Sequence, residues 1–393
     1  MLYGDEVRVR ALMGLILLVS NVALAHGTQP AVWQSLSVDA AGSTVVLLSE
    51  GVGLRLPDGT WRFVCSARWH GPPSPMAASD GLGATWVVGH EVVWRLDPQS
   101  HAPALDASGL DAHAVRGIAA SAATVGVLTV GNTGSDVWIV GRDGATPPQL
   151  LWHRDDAWPA LAGDANGFWL AAMRADGLRL AQVAQDGVAQ NTSVALPAAL
   201  TPLTPRLHVS SGHLYAILSD GVSEHVGRID GGVWQELAED PATVLGPTEI
   251  AGALLIAYGG AIRRLASGAQ IVTDDNRYFT CMNEDAFGPY ACARTELRTV
   301  RADGTSGVLR FDIAWLTPPS LVGLASEDTA TCWTEWQNFS RDAGLPEGAP
   351  ADSGDAAQGP DVGHGCQAAR GTRSLAGLIP LFAAFAWIRR KRT

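Results

Sequence analysis

Adjacent carboxylates are the residues in this chain best suited by type to carry chemistry, and four such pairs lie within residues 31–320. They are Asp155-Asp156, Glu239-Asp240, Asp274-Asp275 and Glu284-Asp285. Two carboxylates that flank a glycosidic bond can hydrolyse it as acid and base or nucleophile. Successive side chains of a β-strand point to opposite faces, however, so an adjacent pair does not by itself form such a set. We therefore predict that these pairs lie in solvated turns, and we predict no catalytic residue.

Metal and cofactor motifs are incomplete in the sequence. Asp164 and Asn166 could offer oxygen atoms to Ca²⁺, but the later Glu that completes a calcium loop is missing. The ten His form no HExxH motif, and neither a Walker motif nor a dinucleotide fingerprint is present. No CxxC pair or Cys/His cluster has zinc-ligand spacing. The sequence thus predicts no metal and no cofactor.

Four of the cysteines are predicted to form two disulfides. Cys281 and Cys292 flank Phe287-Gly288-Pro289, which is typical of a hairpin tip, so a cross-strand disulfide is expected. Cys65 and Cys332 would then close the first repeat against the segment after the last one, through a very long loop. Four cysteines allow three pairings, and this one is our first choice. Disulfides of this kind indicate an oxidising compartment.

Short apolar runs separated by tight turns fill residues 31–320, so the elements that must position these residues are β-strands. Gly at 44 residues and Trp at 14 suit many short strands pinned by large aromatic side chains. Comparable turns recur every 40–45 residues or so, the period of a four-stranded propeller blade. These turns are Ala40-Ala41-Gly42, Asp80-Gly81, Ser121-Ala122, Asn166-Gly167, Ser211-Gly212 and Ala251-Gly252.

With the further segment Tyr278–Pro318, the count reaches about seven units. We therefore predict an all-β fold, a β-propeller of about seven four-stranded blades. A six- or eight-bladed ring and a large sandwich are the alternatives. The segment Asp328–Leu345 places Trp333, Trp336 and Phe339 at helical spacing and predicts a short amphipathic helix after the ring. Its aromatic side chains are expected to be core.

The first 25 residues have the features of a cleavable signal peptide. Arg8 and Arg10 precede the apolar run Ala11–Val19, and the small residues Ala23 and Ala25 follow it. Signal peptidase is therefore expected to cut after Ala25. The alternative is an N-terminal membrane anchor, but the run is shorter than the ~20 residues that a spanning helix needs.

The other end has three consecutive parts. Residues 343–365 are rich in Ala, Gly, Pro and Asp, which predicts a disordered spacer. Cys366 follows, then a hydrophobic helix over Leu375–Ile388 and a basic cluster at 389–392. At 1.5 Å per residue this helix is about 21 Å long, short of a ~30 Å hydrocarbon core. It nevertheless suits a retention signal whose basic end stays inside.

Gly365-Cys366, the short hydrophobic helix and the terminal basic cluster together resemble the MYXO-CTERM sorting signal of myxobacterial surface proteins. The resemblance covers roughly the last 29 residues and implies that Cys366 is the processed or lipidated cysteine. An unprocessed tail anchor is the alternative. The expected organisation is a signal peptide at 1–25, a propeller-like domain at 26–342, a spacer at 343–365 and a sorting segment at 366–393.

These features predict an exported protein of the cell envelope, on the outer surface of a Gram-negative cell. Expected partners are signal peptidase, the C-terminal processing machinery, the membrane through the C-terminal helix, and an unknown surface ligand. The net charge of −12 excludes nucleic acid as a partner.

The favoured function is a binding or structural module, and the alternative is an extracellular glycan-active hydrolase or lyase. Convergent acidic, Arg and Tyr side chains at the channel mouth would favour the enzyme, and a lining of Gly, Ala and Val would favour the module.

Overall fold

The structure is a computed structural model that describes residues 31–348 with gaps. The gaps are 40–41, 70–75, 80–84, 90–92, 97–104, 107–109, 111–113, 122–123, 141–146, 198–199, 201–203, 242, 259–260, 267–268, 274–278, 286 and 347. Three predicted features, the cleavage site at Ala25, the cysteine Cys366 and the hydrophobic segment Leu375–Ile388, lie outside the described residues.

Seven antiparallel sheets follow one another along the chain as the blades of a propeller. Blade 1 contains β1 Val32–Asp39, β2 Gly42–Leu48, β3 Val52–Arg55 and β4 Trp61–Val64; blade 2 contains β5 Ala77–Ser79, β6 Thr85–Val88, β7 Val93–Leu96 and β8 Leu105–Asp106. Blade 3 contains β9 Val115–Ala120, β10 Val125–Gly131, β11 Gly134–Val140 and β12 Gln149–Arg154; blade 4 contains β13 Ala160–Gly163, β14 Gly167–Arg174, β15 Gly177–Ala184 and β16 Ala189–Val194.

The remaining three blades repeat this order. Blade 5 contains β17 Thr204–Ser210, β18 His213–Ser219, β19 Glu224–Asp230 and β20 Val233–Asp240; blade 6 contains β21 Val244–Ile250, β22 Ala253–Tyr258, β23 Ala261–Ala266 and β24 Ala269–Thr273. Blade 7 contains β25 Cys281–Asp285, β26 Gly288–Ala293, β27 Glu296–Val300 and β28 Ser306–Asp312. The first strands of neighbouring blades contact one another around the ring and form its inner wall. The predicted seven-bladed propeller is therefore confirmed.

The hydrophobic core lies between neighbouring blades, because each blade is covered on both faces. Among the described residues it forms seven clusters, each shared by two adjacent blades. The second strands consequently carry continuous apolar runs instead of a strict alternation, as in Leu214–Leu218.

The predicted repeat turns that fall wholly on described residues join the first and second strands of their blades; these are Asn166-Gly167, Ser211-Gly212 and Ala251-Gly252. In blade 5 the turn residues Ser211 and Gly212 have φ of 48° and 76°, and in blade 6 Ala251 and Gly252 have the same two values. Positive φ at both central residues is the type I′ hairpin geometry, which suits Gly at the second position. These turns place the ends of the inner strands at one mouth of the channel.

The ring closes where blade 7 meets blade 1. A short strand after blade 7, β29 Leu316–Thr317, adds in parallel to β4 at the outer edge of blade 1. The disulfide Cys65–Cys332 links the same two regions, with a Cα–Cα distance of 5.2 Å. Arg68 donates to the carbonyls of Ser320 and Val322 at 2.8 and 2.9 Å. The seam is thus held by strand pairing, a covalent bond and hydrogen bonds.

The helix predicted after the ring is present as α1, Ser326–Ala343. Trp336 and Phe339 are buried in the core cluster shared by blades 1 and 7, so its aromatic side chains are core, as expected. Glu335 accepts from the backbone N–H of Ser66 at 2.8 Å, and burial raises the pKa of this carboxyl. Within the described part of the chain, no helix combines the length and apolar character needed to cross a bilayer.

Candidate ligand site at the channel mouth

A cavity of about 410 Å³ occupies the channel where the inner strands end. Six inner strands line it, β1, β5, β9, β13, β17 and β25. The volume lies within the range of small-molecule sites, roughly 300–1,000 Å³. The cavity is therefore large enough for a small ligand or for one residue of a larger one.

Blades 2, 3 and 4 supply a wall of small and apolar side chains. The lining residues of this wall are Ala77, Ala78, Ser79, Ile118, Ala119, Ala120, Ser121, Leu161, Ala162 and Gly163. A Cβ on Gly163 would lie 1.7 Å from the carbonyl oxygen of Ala120, so only Gly allows blades 3 and 4 to approach this closely. The described residues of this wall offer contact area and two serine hydroxyls, with no carboxylate or imidazole among them.

On the opposite side, blade 7 contributes the lining carboxylates Glu284 and Asp285. Ser210 of blade 5 donates its hydroxyl to Glu284 at 2.9 Å, and its oxygen accepts from the backbone N–H of Glu249 at 2.9 Å. The Glu249 carboxylate contacts His213 Nδ1 at 2.8 Å and accepts from the hydroxyl of Tyr215 at 3.2 Å. Burial and the Glu249 charge raise the pKa of Tyr215, which keeps it a hydrogen-bond donor.

Asp285, the neighbour of Glu284, is held in a nearly buried ion pair. Arg310 lies 2.6 Å from its carboxylate, and the two side chains are 2% and 15% exposed. The guanidinium also lies 5.2 Å from the ring centroids of Phe287 and Tyr290. Tyr290 in turn bonds the backbone of Ser35 in blade 1. This pair therefore joins blade 7 to blade 1 at the channel wall.

Among the described lining residues, two polar atoms are buried and make no hydrogen bond, Ser79 Oγ and His208 Nε2. They lie on blades 2 and 5. Burial, with a smaller contribution from the charge of Arg206, lowers the pKa of His208 to about 4, so its imidazole is neutral near pH 7. Unsatisfied buried polar atoms cost free energy that a ligand could recover by bonding them.

Stability should depend on pH through His208. The folded state disfavours its protonation, whereas the unfolded chain accepts the proton below about pH 6.5. We expect the unfolding free energy to fall by about 2 kcal/mol between about pH 6.5 and 4, and His208→Gln to remove this part of the dependence. Urea denaturation of both proteins across this range measures it. An equal decrease of the unfolding free energy in the wild type and in His208→Gln would show that His208 is not the source of this pH dependence.

The structure contains both predicted disulfides. Cys281 and Cys292 are direct cross-strand partners in β25 and β26, with a Cα–Cα distance of 4.9 Å. The Cys65–Cys332 disulfide closes the ring as expected.

The four carboxylate pairs differ in whether they lie in a turn or in a strand. Asp155-Asp156 follows β12 in an exposed turn, as predicted, whereas Asp274-Asp275 lies outside the described residues. The turn prediction is wrong for Glu239-Asp240 and Glu284-Asp285, which lie in β20 and β25. Asp164 forms a local turn in which its carboxylate accepts from the N–H groups of Asn166 and Gly167 and from Trp169 Nε1.

Sequence reasoning did not identify Ser210, His213, Glu249 or Arg310 as parts of this mouth. They come from the consecutive blades 5, 6 and 7 and are brought together only when these blades pack side by side. One usable signal was their position, since Ser210 and Glu249 stand just before the repeat turns of blades 5 and 6. Residues that precede equivalent turns must gather at one mouth of a propeller.

The chain matches no protein-family model, and no curated protein matches it significantly. Among solved structures, it is similar to the dihydro-heme d1 dehydrogenase NirN, with 11% identity, TM-score 0.43, and 72% of this chain and 66% of that chain covered. It is also similar to the Swd1 β-propeller domain of Myceliophteria thermophila, with 12% identity, TM-score 0.36, and 60% and 85% covered.

A third similar structure is the extracellular domain of a one-component system from B. thetaiotaomicron, with 10% identity and a TM-score of 0.35. That match covers 70% of this chain and 54% of the other. The chain thus spans less than two thirds of the dehydrogenase and of this extracellular domain. These similarities concern the fold alone and do not indicate a ligand or a reaction for this chain.

Proposed function

We propose that the protein is an exported binding or structural module of the cell surface, and that its ligand site is the channel mouth. The observation that carries this proposal is the cavity lining, a wall of small and apolar residues facing a few polar groups. Ligand sites typically have this composition, an apolar surface with a small number of polar groups that fix orientation.

The glycan-active alternative has less support from the same site. The Glu284 carboxylate accepts a hydrogen bond from Ser210, and the Glu249 carboxylate accepts one from Tyr215, so both are already engaged by blade 5. Asp285 is neutralised by Arg310. An acid–base pair needs one carboxyl that holds a proton and one that is free to act on water or sugar. The described lining residues supply fixed anions, which suit recognition of a cationic or hydroxyl-bearing ligand.

Export is supported by chemistry and by the ends of the chain. Two buried disulfides form and persist in oxidising compartments. The signal peptide ending at Ala25 and the MYXO-CTERM-like tail at Cys366 would direct the domain to the outer surface and retain it there.

The purified protein should bind without turnover. On glycan and peptide arrays we expect binding that Glu284→Gln weakens about tenfold, because a hydrogen bond to a charged group contributes roughly 1.5–3 kcal/mol. Incubation with glycan, peptide and ester substrates should release no product. Product release that Glu284→Gln abolishes would instead establish the enzyme.

Deletion of residues 375–393 should release the protein into the medium with its fold intact. The deleted segment contains the hydrophobic run and the basic cluster that would retain the chain. Fractionation of cells followed by immunoblotting measures the distribution, and circular dichroism checks the released protein. Replacing Arg341 by Ala, on the exposed face of α1, serves as a control that should stay cell-bound. A truncated protein that remains with the membrane would place the retention signal elsewhere.

A further inference from the structure

A second cluster of polar side chains lies on the outer half of blade 5, away from the channel lining. His225 of β19 faces Glu236 and Glu239 of β20, and candidate ligand atoms of these three residues lie within 4.8 Å of one another. Asp220, in the turn that precedes β19, approaches the other side of the imidazole. One nitrogen and several carboxylate oxygens therefore converge.

A β-bulge brings the two glutamates to the same face. His225 pairs with Glu239 and Gly227 pairs with Glu236, so Leu237 is the extra residue in β20. Residues three apart in a regular strand point to opposite faces, and the extra residue reverses this relation. Bulges re-aim side chains in this way next to functional sites.

The distances suit two adjacent ligands of one metal ion. His225 Nδ1 lies 2.9 Å from Glu236 Oε1. Two ligand atoms that each lie about 2.1 Å from a tetrahedral zinc ion are about 3.4 Å apart, so the 2.9 Å separation would have to widen by about 0.5 Å. A metal ion could thus take the place of a shared proton between these atoms with small side-chain movements.

The burial of the imidazole is the independent observation. The His225 side chain is 10% exposed, and its Nε2 atom is buried and makes no hydrogen bond. Asp220 Oδ2 lies 3.5 Å from that atom, while Asp220 Oδ1 is fixed by the N–H groups of Val222 and Ser223. Metal-binding histidines commonly direct the ring nitrogen that does not bind the metal toward a carboxylate. Asp220 would therefore close on Nε2–H and leave the Nδ1 lone pair facing the two glutamates.

We propose that His225, Glu236 and Glu239 bind a divalent transition metal, with Zn²⁺ as the favoured ion and Asp220 orienting the imidazole. One imidazole and two carboxylates form a nitrogen and oxygen ligand set that Zn²⁺ accepts. Glu236 and Glu239 are exposed, so a water molecule or a partner side chain can complete the coordination. The metal would tie β19 to the edge strand β20.

Isothermal titration of the purified protein with ZnCl₂ tests the proposal. We expect one saturable site per chain, with affinity reduced at least tenfold in both His225→Gln and Glu239→Gln, since loss of even an orienting partner typically costs 10–100-fold, or about 1.4–2.8 kcal/mol. Zn²⁺ should also raise the melting temperature of the wild type and not that of Glu239→Gln. Circular dichroism confirms that each variant is folded.

The matched control is a second histidine between two carboxylates. His153 contacts Asp136 at 2.6 Å and Asp155 at 3.1 Å, but its side chain is 49% exposed and both ring nitrogens are engaged. Asp155→Asn should leave the Zn²⁺ affinity unchanged. The absence of saturable binding, equal binding by all variants, or a loss confined to Asp155→Asn would each overturn the proposal. The cluster would then be explained as an ion-pair network between a protonated His225 and its carboxylates. The proposed ligand site at the channel mouth is separate from this cluster, and the array binding of Glu284→Gln tests it independently.

Discussion

Replacing Cys65 and Cys332 together by Ala is expected to lower the free energy of unfolding by about 5–6 kcal/mol. The two residues are 267 positions apart, so the disulfide restricts nearly the whole domain in the unfolded state. Both are fully buried in the core cluster that blade 1, blade 7 and α1 share. Urea denaturation of the oxidised wild type and the double variant measures the difference.

The hairpin disulfide provides the matched control. Cys281 and Cys292 are only 11 positions apart, so their replacement by Ala should cost less, about 3 kcal/mol. Both disulfides are buried in the same core cluster at the seam. An equal or larger loss from the hairpin pair would show that loop closure is not the source of the stability.

Arg310→Met is expected to destabilise the fold by about 3–5 kcal/mol, because it leaves the Asp285 carboxylate without its cation in a nearly buried position. The double variant Arg310→Met with Asp285→Ala should recover part of the loss, since it removes the orphaned charge. Thermal and urea unfolding of the single and double variants complete the cycle. The ion pair joins the wall of the channel to the blade 7 and blade 1 seam, so ring closure should weaken as well.

Arg174 and Asp156 form a comparable ion pair on the surface of blade 4, with side chains 27% and 47% exposed. Arg174→Met should cost less than about 1 kcal/mol, as exposed ion pairs do. A similar loss from Arg174→Met and Arg310→Met would mean that burial does not set the cost at Asp285.

Much of the fold follows from local patterns, which is why the sequence predicts it. Three such patterns depend on neighbours along the chain. They are the alternation within strands, the 40–45-residue period and the I′ turns at Ser211-Gly212 and Ala251-Gly252. The α1 helix is read from the spacing of Trp333, Trp336 and Phe339. The disulfide pairing followed from the hairpin around Gly288 and from the need of a ring to close.

Other features depend on register or on which blades become neighbours. The β29 strand has two residues and closes the ring by pairing with β4, more than 250 positions earlier. The sequence predicts a solvated turn for Glu284 and Asp285, but they occupy an inner strand, and Glu284 finds its partner Ser210 on another blade. The bulge at Leu237 places Glu236 and Glu239 on the same face as His225. The residue types of β20 do not predict this bulge.

The sequence by itself determined the elements of this protein: short strands, the turns that join them, the helix after the ring and two disulfides. The strands, turns and helix depend on backbone preferences and side-chain periodicity, which act over a few residues, and the disulfide pairing depends also on the need of a ring to close. Only the tertiary structure decided what the channel mouth contains. Ser210, Glu249 and Glu284 come from three consecutive blades and gather because inner strands end at one mouth. The physical reason is that a side chain's partners across a ring are set by blade order and strand register, which no local pattern encodes.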